Sequence, residues 1–349
     1  MSSIGIGSAR VGAGHPCYVI AEAGVNHDGD VEQALRLVDA AAAAGADAVK
    51  FQTFVAERLV TADAPKAGYQ LDTTDPDESQ LEMLRALELA ADDHRRILAR
   101  CRERGITFLS TPFDDESVAL LVELGVAALK VASPEVTNHP FLELVGSRGL
   151  PVLLSTGMAT LAEVEAAVAV LAAAGCRDIA LLHCVSAYPA PAGQANLRAI
   201  VTLAERFDVP VGYSDHTVGN GAALAAVALG ARLIEKHLTL DRSLPGPDHA
   251  ASLEPAELDE LVRQVREVEA MLGDGLKRPM PCEEGNRTVV RRSLAAARDL
   301  PAGTTVAVDM LTALRPATGI SPADRGAVLG RTLRRPLRRG QLVALEDLE

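Results

Sequence analysis

A TIM (β/α)8 barrel followed by a small β-rich domain is the fold that this 349-residue sequence predicts, and three features predict it. Between Cys17 and Leu240, eight short β-rich runs each end in polar residues and alternate with Ala/Leu-rich amphipathic segments. Eight βα repeats over roughly 250 residues are the pattern of that barrel. Several of the helical segments close on glycine, the residue favoured just past a helix C-terminus. The tail repeats itself instead: ARDLPAGTTVAVDML and RRPLRRGQLVALEDL match at a constant offset of 37, pairing Leu300/Leu337, Gly303/Gly340, Val306/Val343, Asp309/Glu346 and Leu311/Leu348. A doubly wound sheet is the alternative, but it carries a Gly-rich phosphate loop after its first strand, and EAGVNHDGD lacks GxGxxG.

In chain order the strand runs are CYVIAEAG, DAVKFQT, ITFLSTP, AALKVAS, PVLLSTG, IALLHCVS, VPVGYSDHT and RLIEKHLTL. The helices between them include VEQALRLVDAAAAAG, DDHRRILARCRERG, ESVALLVELG, LAEVEAAVAVLAAAG and GAALAAVALG. One insertion, Thr53 to Ala91, separates the second strand from its helix. A loop of that length in a compact domain is usually functional. Two readings stand: a partly helical flap (SQLEMLRALELA) over the barrel mouth, or a solvated acidic loop. EPAELDELVRQVREVEAMLG is an amphipathic helix, and GDGLKRPMPCEEGNR is rich in Gly, Pro and charge. The expected boundaries are therefore a barrel over 1–275, a linker over 276–289 and the β-rich domain over 290–349. Five arginines between 331 and 339 make that last domain locally basic, which as a charge run also reads as a solvated face.

Composition narrows the class. The chain is 48% hydrophobic but 3% aromatic, with no Trp, so its core is Ala, Val and Leu. A net charge of −13 argues against generic binding to nucleic acid or an anionic membrane. Five scattered cysteines without CxxC spacing fit free thiols in a reducing cytoplasm. MSSIGIGSARVGAG lacks the basic flank and apolar run of a signal peptide, and no apolar stretch approaches the ~20 residues of a membrane helix.

Active sites of such barrels lie at the C-terminal strand ends. Those ends offer Glu22; Lys50 and Gln52; Ser110 and Thr111; Lys130, Ser133 and, just beyond, Glu135; Ser155 and Thr156; His183, Ser186 and Tyr188; Ser214, Asp215 and His216; Glu235 and His237. Lysines inside the apolar runs AVKFQT and ALKVAS need anionic partners. With Thr111, Ser133, Ser155 and Ser214, Lys50 and Lys130 suit a phosphate or carboxylate. A Schiff-base lysine and a structural salt bridge to Glu22 or Glu135 are the alternatives. His216 and His237 close neighbouring strands of one βα unit, so their imidazoles either converge on a metal or are satisfied strand-end residues. Asp248, in PGPDH, is placed to hold a polyol or to cap a turn. His183 reads as a hydrogen-bonded core residue. Cys184 points to the opposite face and reads as packing.

The stretches EAGVNHDG, ADAVKFQT, LSTPFD, LKVASPEVTN, LLSTGMA, LLHCVSAYPAP, GYSDHT and IEKHLTLDRSLPGPDHAASLEP resemble the sialic acid synthases, N-acetylneuraminate synthase and its relatives, in the expected order. RRSLAAARDLPAGTTVAVDMLTALRPATGISP resembles the antifreeze-like (SAF, β-clip) domain that ends those enzymes. The resemblance implies condensation of phosphoenolpyruvate with an N-acetylated sugar aldehyde such as N-acetylmannosamine, releasing phosphate by C–O cleavage. It implies a divalent metal, Mn2+ or Mg2+, on His216 and His237. It implies a phosphoenolpyruvate site of Lys50, Thr111, Lys130, Ser133, Ser155, Ser186 and Ser214, with Ser186 standing where some members carry Asn. The sugar would meet Glu22, Gln52, Tyr188 and Asp248. A domain-swapped homodimer would bring Arg315 of the partner subunit to the N-acetyl group. Glu135 would deprotonate the attacking water, its aim altered by Pro134 where the family commonly has Gly. A legionaminate synthase using a 2,4-diacetamido sugar and a pseudaminate synthase are alternatives within the family, and His249 argues against the second. A metal-dependent aldolase or lyase is the alternative outside it.

Overall fold

The computed structural model describes residues 3–75 and 77–349; Pro76, inside the expected flap, lies outside them. The chain divides into two compact units, with the boundary between Gly273 and Asp274.

The first unit opens with an antiparallel hairpin, β1 (Ser3–Ile6) and β2 (Ala9–Gly12). Eight parallel strands follow: β3 (Tyr18–Gly24), β4 (Ala48–Thr53), β5 (Thr107–Pro112), β6 (Leu129–Val131), β7 (Val152–Ser155), β8 (Ile179–Cys184), β9 (Val211–Asp215) and β10 (Leu233–His237). Their hydrogen-bonded order is β5-β4-β3-β10-β9-β8-β7-β6, and β5 and β6 lie side by side, so the sheet curls into a near-closed barrel. The eight expected strands are all present.

Strand alternation divides the barrel into layers. Outward residues such as Val19, Val49, Phe108, Leu154, Leu181 and Ile234 form the main core against the helices. Inward residues Ile20, Ala48, Leu109, Leu153, Leu182 and Leu233 fill the lower interior, which Ile4, Ile6 and Val11 of the hairpin plug from below. Above this apolar layer, the next inward positions carry the polar groups described below.

The helices on the barrel wall are α1 (Val31–Ala43), α5 (Ala91–Arg104), α6 (Asp115–Leu124), α7 (His139–Gly146), α8 (Leu161–Ala173), α9 (Arg198–Arg206), α10 (Gly221–Ala228) and α11 (Pro255–Leu272). Side-chain N-caps start several of them: Asp30, Asp114 and Thr160 each accept a backbone N–H of the first turn. The insertion is helical, as the flap reading expects. It forms α2 (Ala56–Leu59), α3 (Gly68–Thr73) and α4 (Gln80–Ala86). Met83 and Leu87 pack with Val25 and Phe54 in a small core of their own. Lys66 ties the insertion together by ion-pairing with Glu78 at 2.9 Å and donating to Thr74 Oγ1 and the Asp75 carbonyl. Among the described residues no helix is long and apolar enough to cross a membrane.

The second unit takes in the expected linker, which forms the helix α12 (Glu284–Val290) toward its end. Pro281 opens the turn ahead of it, and Glu283 accepts the Met280 N–H at 2.8 Å, so a Pro- and charge-rich stretch here starts a helix. Strands β11 (Ser293–Ala296) and β12 (Leu311–Leu314) pair antiparallel. The sequence repeat appears as two-fold hydrogen bonding. Leu300 and Leu337, equivalent positions, exchange both backbone bonds at 2.8 and 2.9 Å. Gly303 N–H donates to the Leu333 carbonyl, and its counterpart Gly340 donates to Ala296. Leu294, Leu300, Val306, Leu333, Leu337 and Val343 form this unit's core.

Candidate active site

A cavity of about 420 Å3 opens at the C-terminal end of the barrel. Its floor is a buried charge cluster. Lys50, on β4, ion-pairs with Glu22 of β3 at 2.5 Å and donates to Thr111 Oγ1 of β5 at 3.0 Å. Lys130, on β6, donates to Ser155 Oγ of β7 at 2.6 Å. Glu235 of β10 sits between the lysines, 3.7 Å from each, and accepts from Ser214 Oγ at 2.9 Å. All four charged side chains are buried.

The charges set one another's protonation. Burial pushes the Glu22 carboxyl up to about 7, against the pull of Lys50. Burial pushes Glu235 the same way, but Lys130 and Lys50 together overcome it and hold Glu235 down at about 2. Burial lowers both lysines; Glu22 and Glu235 more than restore Lys50, while Lys130 stays below its ordinary value. Two lysines against one firmly ionised carboxylate leave a floor suited to an incoming anion.

Above the floor stand the two strand-end histidines. The His216 and His237 rings are 5.5 Å apart, with Tyr188 packed 4.2 Å from the first and edge-on to the second at 5.8 Å. His216 Nδ1 is taken by the Val185 carbonyl at 2.8 Å, which leaves Nε2 as the nitrogen that a cation would take. Buried His237 Nδ1 has no hydrogen-bond partner, and burial, with the neighbouring His216 and Lys50, holds this imidazole neutral, well below its ordinary value. A neutral imidazole with an unpartnered buried nitrogen is the state that a metal ligand requires. Among the described residues no group of three or more His, Cys, Asp or Glu side chains is arranged to hold an ion. The donors that the site offers a cation are the two imidazoles, His216 through Nε2 and His237 through its unpartnered Nδ1. Asp248 Oδ2 lies 3.8 Å from His237 Nδ1, and burial lifts its carboxyl to about 6.

Of the residues singled out from the sequence, Glu22, Lys50, Gln52, Thr111, Lys130, Ser133, Ser155, Ser186, Tyr188, Ser214, His216, His237 and Asp248 all line this cavity. Gln52 donates to Glu22 Oε1 at 3.4 Å, and Ser133 Oγ accepts the Gly157 N–H at 2.9 Å. Glu135 is not among the residues that line the cavity. It lies in the 3-10 turn Ser133–Thr137, where consecutive side chains diverge by a third of a turn, so Pro134 faces the cavity instead. The Glu135 carboxylate accepts from Asn138 Nδ2 at 2.6 Å. Arg315 lies exposed in the second unit, just past β12. His183 is a core residue, bonded to the Ala195 carbonyl at 2.9 Å and stacked on Tyr213.

Glu235, named from the sequence only as a strand-end residue, shares inward parity with His237 in RLIEKH and lies 3.7 Å from both lysines. Three further contributors were missed. Cys184 points away from His183 as expected, yet it lines the cavity, 3.8 Å from His216 Nδ1. At Gly157 a Cβ would collide with Ser186 Oγ and Ser133 Oγ, so a side chain here would displace two hydroxyls of the site. The insertion supplies an apolar roof of Ala67, Met83, Leu84 and Leu87, continued by Val25 and Pro247.

Comparison with known proteins extends this picture. The NeuB family model matches residues 37–277, and the SAF domain model matches residues 291–349. The chain is 46% identical to the N,N'-diacetyllegionaminic acid synthase of Campylobacter jejuni, over 93% of this chain and 98% of that one. It is 45% identical to the protein of the same name from Legionella pneumophila, over 97% and 96%. The crystal structure of N-acetylneuraminic acid (sialic acid) synthetase from Leptospira borgpetersenii, in complex with citrate, superposes with a TM-score of 0.74. It is 37% identical, covering 82% of this chain and 95% of that one.

Proposed function

Because this chain belongs to the NeuB family of sialic acid synthase-type enzymes and ends in a SAF domain, we propose that it joins phosphoenolpyruvate to an open-chain N-acetylated amino-sugar aldehyde, releasing phosphate. The observation that carries this reading is the stacking of two layers in one cavity: a buried Lys50/Lys130 floor for an anion, beneath the paired imidazoles of His216 and His237, the second of them held neutral. His216 and His237 would hold the divalent metal, Mn2+ or Mg2+, and when bound it supplies Lewis-acid polarisation of the aldehyde.

The chain's own residues carry the remaining steps. Lys50 and Lys130, with Thr111, Ser155 and Ser214, hold the phosphate and carboxylate of phosphoenolpyruvate. They stabilise the charge that develops as C–O cleavage frees phosphate. Carbon 3 of phosphoenolpyruvate attacks the aldehyde carbon, water adds at carbon 2, and phosphate leaves. Glu135, buried just past β6, is the base for the attacking water in this reading, and Glu22, whose carboxyl lies in the cavity with a pKa of about 7, is a second proton carrier. Gln52, Tyr188 and Asp248 orient the sugar. A second copy of the chain would supply Arg315 of the partner subunit to the N-acetyl group. All five cysteines are free thiols, which suits a cytoplasmic enzyme.

The sugar in this reading is a 2,4-diacetamido-trideoxy hexose. The apolar roof of Met83, Leu84 and Leu87 suits acetamido and C6 methyl groups better than hydroxyls. The two relatives named N,N'-diacetyllegionaminic acid synthase support the same choice. N-acetylmannosamine is the second reading, favoured by the likeness to the solved N-acetylneuraminic acid synthetase. The test is phosphate release from phosphoenolpyruvate and Mn2+ with each sugar in turn. The expected result is release with both and a higher kcat/KM for the diacetamido sugar. No release with either sugar would overturn the reading.

A further inference from the structure

The loop after the first barrel strand touches both walls of the outer cavity. Gly29 abuts the insertion: a Cβ there would collide with the Ala86 carbonyl at the end of α4. Asp28, its neighbour, reaches across to the loop after the last strand. His249 Nε2–H donates to Asp28 Oδ1 at 2.9 Å, and His249 Nδ1 pairs with the Thr239 hydroxyl at 2.6 Å. The His249 side chain is 1% exposed. Asp28 Oδ2 in turn accepts from Gln33 Nε2 of α1 at 2.7 Å.

A second set of bonds runs beside the first. Asn26 Nδ2 donates to the Leu238 carbonyl and to Ser252 Oγ, both at 2.9 Å. Ser252 Oγ donates to the Asp248 carbonyl at 2.6 Å. Asp248 is thus fixed through its own carbonyl on one side and through His249 on the other. Gly246 closes over this arrangement: a Cβ there would lie 2.8 Å from His249 Cδ2 and 2.9 Å from Asp28 Oδ1, and its φ of 146° suits only glycine.

We propose that His249 is a positioning residue, which with Asp28 and Thr239 clasps the first loop to the eighth and so aims Asp248 at the sugar. The inference rests on the synthase reading for the identity of the ligand, but the clasp itself is a property of the fold. Asp248 lies on a segment of turns between Asp241 and Ser252, and without a lock such a segment samples many positions. A carboxylate that must meet a sugar hydroxyl loses most of its value when displaced by an ångström.

The experiment compares the full-length wild type with His249→Ala, His249→Gln and Gly246→Ala. Phosphate release is followed while sugar and phosphoenolpyruvate are varied separately, and amide hydrogen exchange is measured across residues 241–252. His249→Ala is expected to raise the KM for sugar about tenfold or more, the scale of one lost charge-assisted hydrogen bond, and to leave the KM for phosphoenolpyruvate unchanged. His249→Gln, which keeps a donor for Asp28, is expected to recover most of that loss. Gly246→Ala opens the clasp without removing a member, so it should reproduce the sugar-specific defect and keep the test alive if His249→Ala does not fold. Exchange across the loop should rise in both. Equal rises in the two KM values, or wild-type sugar kinetics in Gly246→Ala and His249→Ala, would overturn the proposal. If the wild type turns over neither sugar, the synthase reading fails and exchange alone decides: unchanged exchange in the variants overturns the clasp.

Discussion

The floor and the roof of the cavity are built by opposite means. The floor stands on seven barrel strands, and its charges are matched within a few ångströms: Lys50 to Glu22 and Thr111, Lys130 to Ser155, Glu235 to Ser214 and both lysines. The roof stands on short helices of an insertion, and its contribution is apolar contact from Met83, Leu84 and Leu87. Strand positions fix a side chain to a fraction of an ångström because neighbouring strands hold each residue in register. A helix on an insertion can be exchanged without disturbing that register. In the proposed function the reaction belongs to the strand ends and the choice of sugar to the roof, and the variants below strike one, the other or the loop between them.

Chelation and floor substitutions carry the largest effects. Removing divalent metal with EDTA is expected to abolish phosphate release, with Mn2+ restoring it. In His237→Ala, titration calorimetry should show Mn2+ binding lost while phosphoenolpyruvate binding survives, because the lysines lie in a separate layer. Lys130→Ala should lower kcat/KM by about a thousandfold, the scale of removing one preorganised charge partner from a dry site. Glu235→Leu should also destabilise the fold by about 3–5 kcal/mol, since it leaves two lysines buried without their shared carboxylate. Wild-type stability in urea for Glu235→Leu would show that the floor is not the matched cluster described here.

These residues also mark how much was legible beforehand. Eight runs with polar ends gave the barrel, and inward parity gave nearly every lining residue of the floor, because a strand period of two needs no tertiary information. Glu235 carried the same parity as His237. Its pairing with two lysines depends on which strands become neighbours across the barrel, which no single run encodes. Glu135 lies in a 3-10 turn beyond its strand, where Asn138 donates to its carboxylate, and strand parity does not reach that far. The roof was read only as a helical flap. Met83 and Leu87 have the spacing of one helix face, but nothing in SQLEMLRALELA says that this face meets Val25 and Phe54. The second unit was the reverse case, where a repeat in sequence predicted the two-fold bonding between Leu300 and Leu337.

The loop that links the two regions should give stability a pH dependence. Burial holds His27 down at about 4, and its Nδ1 accepts the Gly29 N–H at 3.1 Å. The folded-state pKa lies below the unfolded value of 6.5, so the unfolded chain takes up the proton first. The contribution of neutral His27 is fully present above 6.5 and is lost as pH falls from there toward 4. The full span corresponds to roughly 3 kcal/mol at about 1.4 kcal/mol per pKa unit. Urea unfolding at pH 7.5 and pH 4.5 should therefore show a larger drop for wild type than for His27→Gln. Equal drops would mean that His27 titrates normally and that this loop is looser than its packing against Phe51 and α4 indicates.

The smallest effect tests the roof itself. Leu84 is only partly buried, so Leu84→Asn should fold normally while placing an amide where the roof is apolar. If the roof reads acetamido and methyl groups, that change should cost the diacetamido sugar about tenfold in kcat/KM, in line with the 1–3 kcal/mol that one apolar group is worth in a pocket. N-acetylmannosamine, which presents hydroxyls at those carbons, should lose less, and the KM for phosphoenolpyruvate should not move. The ratio of the two sugars' kcat/KM values is therefore the quantity to measure, because a general disturbance of the flap lowers both and leaves the ratio alone. A ratio unchanged from wild type would transfer sugar selection from the roof to Gln52, Tyr188 and Asp248. The barrel's own strand ends and loops would then be responsible for both the reaction and the choice of substrate.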